Sequence, residues 1–116
     1  LGDLLGRAFD KGAVVGAVCH GPAGLLSARL ASGDPLVHGR RVAGFTNSEE
    51  DAVGLSDVVP FMLEDQLKAQ GGHHQKGPDW QPFAVADGNL VTGQNPASSA
   101  EVARLMLKAA DLPTAP

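Results

Sequence analysis

Three kinds of residue in this chain could make and break bonds: the single cysteine, Cys19, the histidine directly after it, His20, and the carboxylate run Glu49, Glu50 and Asp51. A thiolate is a strong nucleophile, an imidazole is a base near neutral pH, and a carboxylate can fix the imidazole tautomer and stabilise the imidazolium. Cys19 closes the apolar run Ala13-Val14-Val15-Gly16-Ala17-Val18, and Gly21-Pro22-Ala23-Gly24-Leu25-Leu26 follows His20. That pattern predicts a strand, an abrupt turn and a helix. Ala17 and Gly21 are the small neighbours such a turn needs, and Pro22 suits a first helical turn. A thiol placed there faces the positive end of a helix dipole, which favours the thiolate, and the whole reads as a nucleophile elbow. The alternative is a buried structural cysteine at a strand end. The His20 N–H is a candidate oxyanion donor. Its side chain is either the base for the thiol or a partly buried polar group bonded to backbone.

Glu50 has two explanations as well. Asn47 followed by Glu50 has the spacing of a capping box, although Ser or Thr is the usual cap, so Glu50 either closes a helix start or orients His20. Spacing leaves both open. His73 and His74 lie in a polar stretch without partners at ligand spacing, so no metal is expected. Trp80 is expected to be a lid or packing residue.

The elements that must position these groups follow from periodicity. Residues 2–10 carry apolar side chains at helical spacing, 13–18 read as a buried strand and 21–31 as a helix. Leu36-Val37 and Val42 to Phe45 predict two short strands around a polar turn. A helix opens near Ser56-Asp57 and ends at Gly71-Gly72, and 73–82 reads as loop. Phe83 to Ala86 and Leu90 to Thr92, joined by Asp87-Gly88-Asn89, predict a hairpin, and a last helix spans about 97–110 before a tail, Leu112 to Pro116, expected to fray. The chain starts at Leu1 within a helical pattern, and no strand-helix unit precedes the elbow. Residues 1–116 are therefore expected to be the C-terminal part of a single longer domain, with partners missing from the sheet.

The totals narrow the class. The 116 residues, 43% hydrophobic and 19% charged, describe one modest globular domain rather than a disordered chain. A net charge of −4 with no basic run gives no footprint for nucleic acid or an anionic membrane, and no apolar stretch approaches a membrane span. One cysteine excludes an intramolecular disulfide, and a reactive thiol suits a reducing compartment, so the cytoplasm is expected.

Four blocks together carry a resemblance: Ala17-Val18-Cys19-His20-Gly21-Pro22; Gly44-Phe45-Thr46-Asn47 with Glu49-Glu50; Val58-Val59-Pro60-Phe61 before Leu63-Glu64-Asp65; and Val91-Thr92-Gly93-Gln94-Asn95-Pro96-Ala97-Ser98-Ser99. The chain resembles the ThiJ/PfpI superfamily, also labelled class I glutamine amidotransferase-like, in its branch of heat-shock chaperones and glyoxalase III-like enzymes. The resemblance implies an α/β fold, a three-layer flavodoxin-like or Rossmann-like parallel sheet with its N-terminal part missing. It implies a catalytic triad of Cys19, His20 and Glu50, no cofactor, a small aldehyde as substrate, and a homodimer. The implied activity is a lyase converting methylglyoxal and water to lactate. A further acidic residue that the family places near its N-terminus has no counterpart here. A glutaminase of the amidotransferase class would need a His-x-Glu near the C-terminus, and no histidine follows His74. The alternatives are a stress-related chaperone or redox sensor in which Cys19 is oxidised, an amidase or peptidase using the same nucleophile, and an inactive piece of the family.

Overall fold

The computed structural model describes residues 1–110. Its centre is a three-stranded sheet of β1 (Val15–Val18), β5 (Leu90–Gly93) and β4 (Ala84–Asp87), in the order β1-β5-β4. β1 runs parallel to β5, with Val15 opposite Leu90 and Val18 opposite Gly93. β4 and β5 form the antiparallel hairpin expected from Asp87-Gly88-Asn89, where Gly88 takes φ +60. Asn89 then donates from Nδ2 to the carbonyls of Phe9 and Ala13, tying the hairpin turn to the end of α1 (Gly2–Asp10).

Alternation along the strands divides the molecule into layers. Val15 and Ala17 of β1 and Leu90 of β5 join a core with Phe9, Leu25, Leu36, Val37, Val42, Phe45, Leu63 and Leu67. Gly16 and Gly93 point the other way, where the last helix, α4 (Ser99–Ala109), lies across the sheet with Met106 over Gly16 and Val102 over Gly93. With α1 and α3 (Leu63–Ala69) on the opposite side, this is the expected α/β sheet with helices on both faces. A second, two-stranded parallel sheet of β2 (Arg41–Val42) and β3 (His73–His74) is held to the main sheet by side chains. The Arg41 amide donates to Asp87 Oδ2, and the Ala43 amide donates to the buried Thr92 Oγ1.

Several local expectations are corrected. Residues 21–31 form one 3-10 turn, Gly21–Leu25, and then leave the helical path. Ala28 and Leu36 pair backbone to backbone instead, and Arg29 bridges Pro35, so core burial of Ala28 and Leu36 overrides the local helical pattern. Leu36-Val37 is a buried turn rather than a strand. The helix expected from Ser56 begins only at Leu63, because Pro60 interrupts the approach and Leu63 and Leu67 are the positions that reach the core. The 73–82 stretch contains the short strand β3. The tail from Leu112 lies outside the described residues. Among the described residues no helix is long and apolar enough to cross a membrane.

Candidate active site

Cys19 continues from β1 at φ +63, in the left-handed region that a side chain other than glycine rarely adopts. Two backbone hydrogen bonds hold it there. Its N–H donates to the Gly93 carbonyl over 3.0 Å, and its carbonyl accepts from the Phe45 N–H over 2.8 Å. The turn therefore hangs between β5 and the segment leading out of β2. A Cβ on Gly21 would lie 3.5 Å from that of Ala17, so the two small residues meet across the elbow at ordinary contact.

The strained turn brings successive side chains together. Cys19 Sγ lies 3.6 Å from His20 Nδ1, and His20 Nε2 lies 2.8 Å from Glu50 Oε2. His20 is half-exposed, whereas Glu50 is 3% exposed with its second oxygen, Oε1, buried and without a partner among the described residues. The neutral imidazole that fits carries its proton on Nε2, donates to Glu50 and presents Nδ1 as acceptor to the thiol. The Phe45 ring packs against the imidazole with centroids 4.3 Å apart, and Trp80 meets Phe45 edge to face at 5.7 Å. Beside His20 lies a cleft of about 210 Å3 walled by Ala23, Glu50, Val59, Pro60, Phe61 and Leu63. The larger hollow bounded by Asp3, Arg7, Asp10 and Arg29 contains none of these groups.

The carboxylates sort themselves by capping. α2 (Asn47–Ala52) is capped by Thr46, whose hydroxyl accepts from the Glu49 N–H, while Glu49 Oε1 accepts from the Thr46 N–H. The capping box is thus Thr46 with Glu49, one residue earlier than Asn47 with Glu50, and it leaves Glu50 free to face His20. Asp51 is exposed and bonds Ser56. Glu49 is fully buried, and its Oε2 accepts from the Trp80 N–H and from Asn95 Nδ2, each at 2.9 Å. Burial alone would push the Glu49 carboxyl up, but the donors of Trp80, Asn95 and Thr46 outweigh it and hold the group below its usual value.

The resting sulfur differs from expectation. Burial pushes the Cys19 thiol up, opposed by the His20 backbone N–H and reinforced by the negative charges of Glu49 and Glu50. The helix behind it is a single five-residue turn, so its dipole is too weak to reverse that balance. The stable form of Cys19 is the thiol, with His20 Nδ1 as the base beside it.

The model of the DJ-1/PfpI family matches residues 1–109. The chain belongs to that family. It is 36% identical over 108 residues to "Glyoxalase 3" of Candida albicans, covering 87% of this chain and 45% of that protein. It is 37% identical to "Glutathione-independent glyoxalase HSP31" of Saccharomyces cerevisiae, covering 85% and 44%. Crystal structures of glyoxalase III from Candida albicans and of the Francisella tularensis Rapid Encystment Protein superpose with TM-scores of 0.86 and 0.85, at 33% and 37% identity. They cover 91% and 89% of this chain and 47% and 46% of theirs. The chain spans about half the length of the curated relatives it matches.

This DJ-1/PfpI chain also assigns a structural task to the Thr92-Gly93-Gln94-Asn95 block. Gln94 bonds both backbone groups of Gly77, and Asn95 Nδ2 donates to the Gln81 carbonyl. The Phe83 N–H donates to Ser98 Oγ. These buried groups clamp the 77–83 loop that carries Trp80. Sequence reasoning missed this clamp, although a run of amide and hydroxyl side chains directly behind a buried strand was a usable signal.

Proposed function

We propose that the protein is a cofactor-independent glyoxalase III-like lyase in which Cys19 is the nucleophile, His20 the proton carrier and Glu50 the residue that orients His20. One observation carries the reading: the left-handed Cys19 sets its sulfur beside His20 Nδ1 while the opposite ring nitrogen bonds the buried Glu50. The names of the two yeast relatives supply the substrate class.

The thiol proton passes to His20 Nδ1 as the sulfur adds to the aldehyde carbon of methylglyoxal, and the new alkoxide takes that proton to give a hemithioacetal. His20 then removes the hydrogen from the former aldehyde carbon as a proton and passes it to the ketone oxygen, forming an enediol, and it next takes the hydroxyl proton of the first carbon and delivers it to the neighbouring carbon. The first carbon is oxidised to a thioester and the second reduced to a secondary alcohol, so no external oxidant or reductant is needed. Water cleaves the thioester, releasing lactate and restoring the thiol. The His20 N–H supports the oxyanion in both addition steps, and Glu50 compensates the charge on the imidazolium. Burial that keeps Cys19 protonated at rest suits a nucleophile generated by proton transfer to His20 as substrate arrives.

In this reading residues 1–116 are the C-terminal part of one domain that works as a cytoplasmic homodimer in a stress response. Lactate formation from methylglyoxal, compared with the Cys19→Ser form, tests the assignment. Turnover should vanish with the sulfur, and undiminished turnover would end the proposal.

A further inference from the structure

We propose that Glu49 and Asn95 are positioning residues for the Cys19–His20 pair, acting through Trp80 and Phe45. The inference rests on the reading of Cys19 and His20 as the reacting pair. It adds a device that holds them.

Glu49 is a fully buried carboxylate, and no ion pair to it forms among the described residues. Four neutral donors satisfy it: the Thr46 N–H and hydroxyl on Oε1, the Trp80 N–H and Asn95 Nδ2 on Oε2. A buried charge without a cation is expensive and tolerates little displacement, because each lost donor leaves part of that charge exposed to apolar surroundings. Helix capping requires only the Thr46 half of this arrangement. The other half reaches across to Trp80, a residue at φ +65, the only other left-handed position outside glycine among the described residues.

The path to the reacting groups is short. With its N–H held by Glu49, the Trp80 ring stands edge-on to Phe45, and Phe45 lies against the imidazole. Asn95, fully buried, adds the second lock. Its Nδ2 donates to both Glu49 and the Gln81 carbonyl, and its Oδ1 accepts from Ser98 Oγ. Glu49 also precedes Glu50 on α2, so one carboxylate fixes both the acceptor for His20 Nε2 and the aromatic wall against the ring. His20 is half-exposed and would otherwise have other rotamers open to it, which would take Nδ1 away from the sulfur.

Cys19 and Trp80 are the only cysteine and tryptophan, so iodoacetamide alkylation and tryptophan emission each read one position without needing turnover. The charged groups facing the sulfur are His20 on the elbow and Glu49 and Glu50 on α2. Asn95→Ala keeps all three and removes only the lock. In the full chain it should red-shift the Trp80 emission and slow alkylation at pH 7 by about fivefold, leaving the alkaline limb of the pH profile in place. Trp80→Gly suits a left-handed backbone, keeps the N–H that Glu49 needs and removes the ring, so it should fold and show the same loss at pH 7. Trp80→Phe, which restores an aromatic edge, should recover the wild-type profile. A purely structural clamp would lower the melting temperature of Asn95→Ala without moving the profile of the folded protein. The proposal is overturned by a folded Asn95→Ala with wild-type emission and profile, or by a wild-type profile in Trp80→Gly; the latter decides alone if Asn95→Ala does not fold. Failure of the glyoxalase reading would appear separately, as absence of lactate formation by the wild-type protein.

Discussion

Substituting Glu50 by Gln keeps a hydrogen-bond partner beside His20 and removes one charge, which sets two opposing terms against each other. Glu50 Oε2 lies 2.8 Å from His20 Nε2, so the charge centres of an imidazolium and this carboxylate are roughly 4 Å apart, worth about 4 kcal/mol at an effective dielectric of about 20. The same carboxylate repels a thiolate at Cys19 across the width of the ring, roughly 8 Å, which costs about 2 kcal/mol. The charge therefore favours the thiolate–imidazolium pair over the neutral pair by about 2 kcal/mol, and exposure of half the imidazole reduces that to roughly 1.4 kcal/mol. Alkylation of Cys19 at pH 7, where the pair is the reactive species, should slow about tenfold in Glu50→Gln. At alkaline pH, where hydroxide rather than His20 takes the thiol proton, only the repulsion remains, so the variant should there react as fast as the wild type or faster. Rates measured with iodoacetamide from pH 6 to 10 would cross. Faster reaction of the variant at every pH would refute the reasoning, because repulsion alone would then govern the sulfur; unchanged rates at pH 7 would show that Glu50 is not coupled to it.

In the wild type, the thiol pushed up by burial predicts alkylation that keeps rising above the ordinary thiol range, whereas a plateau near neutrality would mean a preformed thiolate. Glu64 is buried and held at about 2: burial would raise it, but Lys68 at 2.7 Å and the Asn47 N–H at 3.0 Å prevail. A carboxyl depressed in the folded state contributes stability that is complete above the unfolded value near 4.5 and disappears as pH falls towards 2. Glu64→Gln should thus lower stability at pH 7 by on the order of 2 kcal/mol, discounted for the exposed lysine, and by almost nothing at pH 2, as read by urea unfolding. Gly6 and Gly16 make a contrasting pair. A Cβ on Gly6 would overlap the Arg29 carbonyl, a backbone group that cannot step aside, and one on Gly16 would meet the flexible end of Met106. Gly6→Ala should cost about 2–3 kcal/mol despite the better helix propensity of alanine, and Gly16→Ala under about 1, in the same unfolding assay.

What the order of residues decided alone is local. The apolar run into Cys19, the hairpin around Gly88 and the amphipathic helices at both ends carry their own periodicity or turn chemistry, and each appears where the pattern places it. The elbow was legible for the same reason: small residues around Cys19 and Pro22 behind it announce the turn within six residues of sequence. Other features depended on groups distant in the chain. The 21–31 stretch reads as a helix by itself, yet it turns at Leu25 because Ala28 and Leu36 bury together. Which glutamate caps α2 and which faces His20 rests on a one-residue choice of cap that spacing could not make, and Glu49 is fixed by donors from Trp80 and Asn95. The acidity of Cys19 is likewise a property of its surroundings, because desolvation, with two carboxylates distant in the chain, raises its pKa against the opposing N–H of the adjacent His20. Short-range sterics write themselves into sequence, while burial and charge are sums over whatever the folded chain brings near.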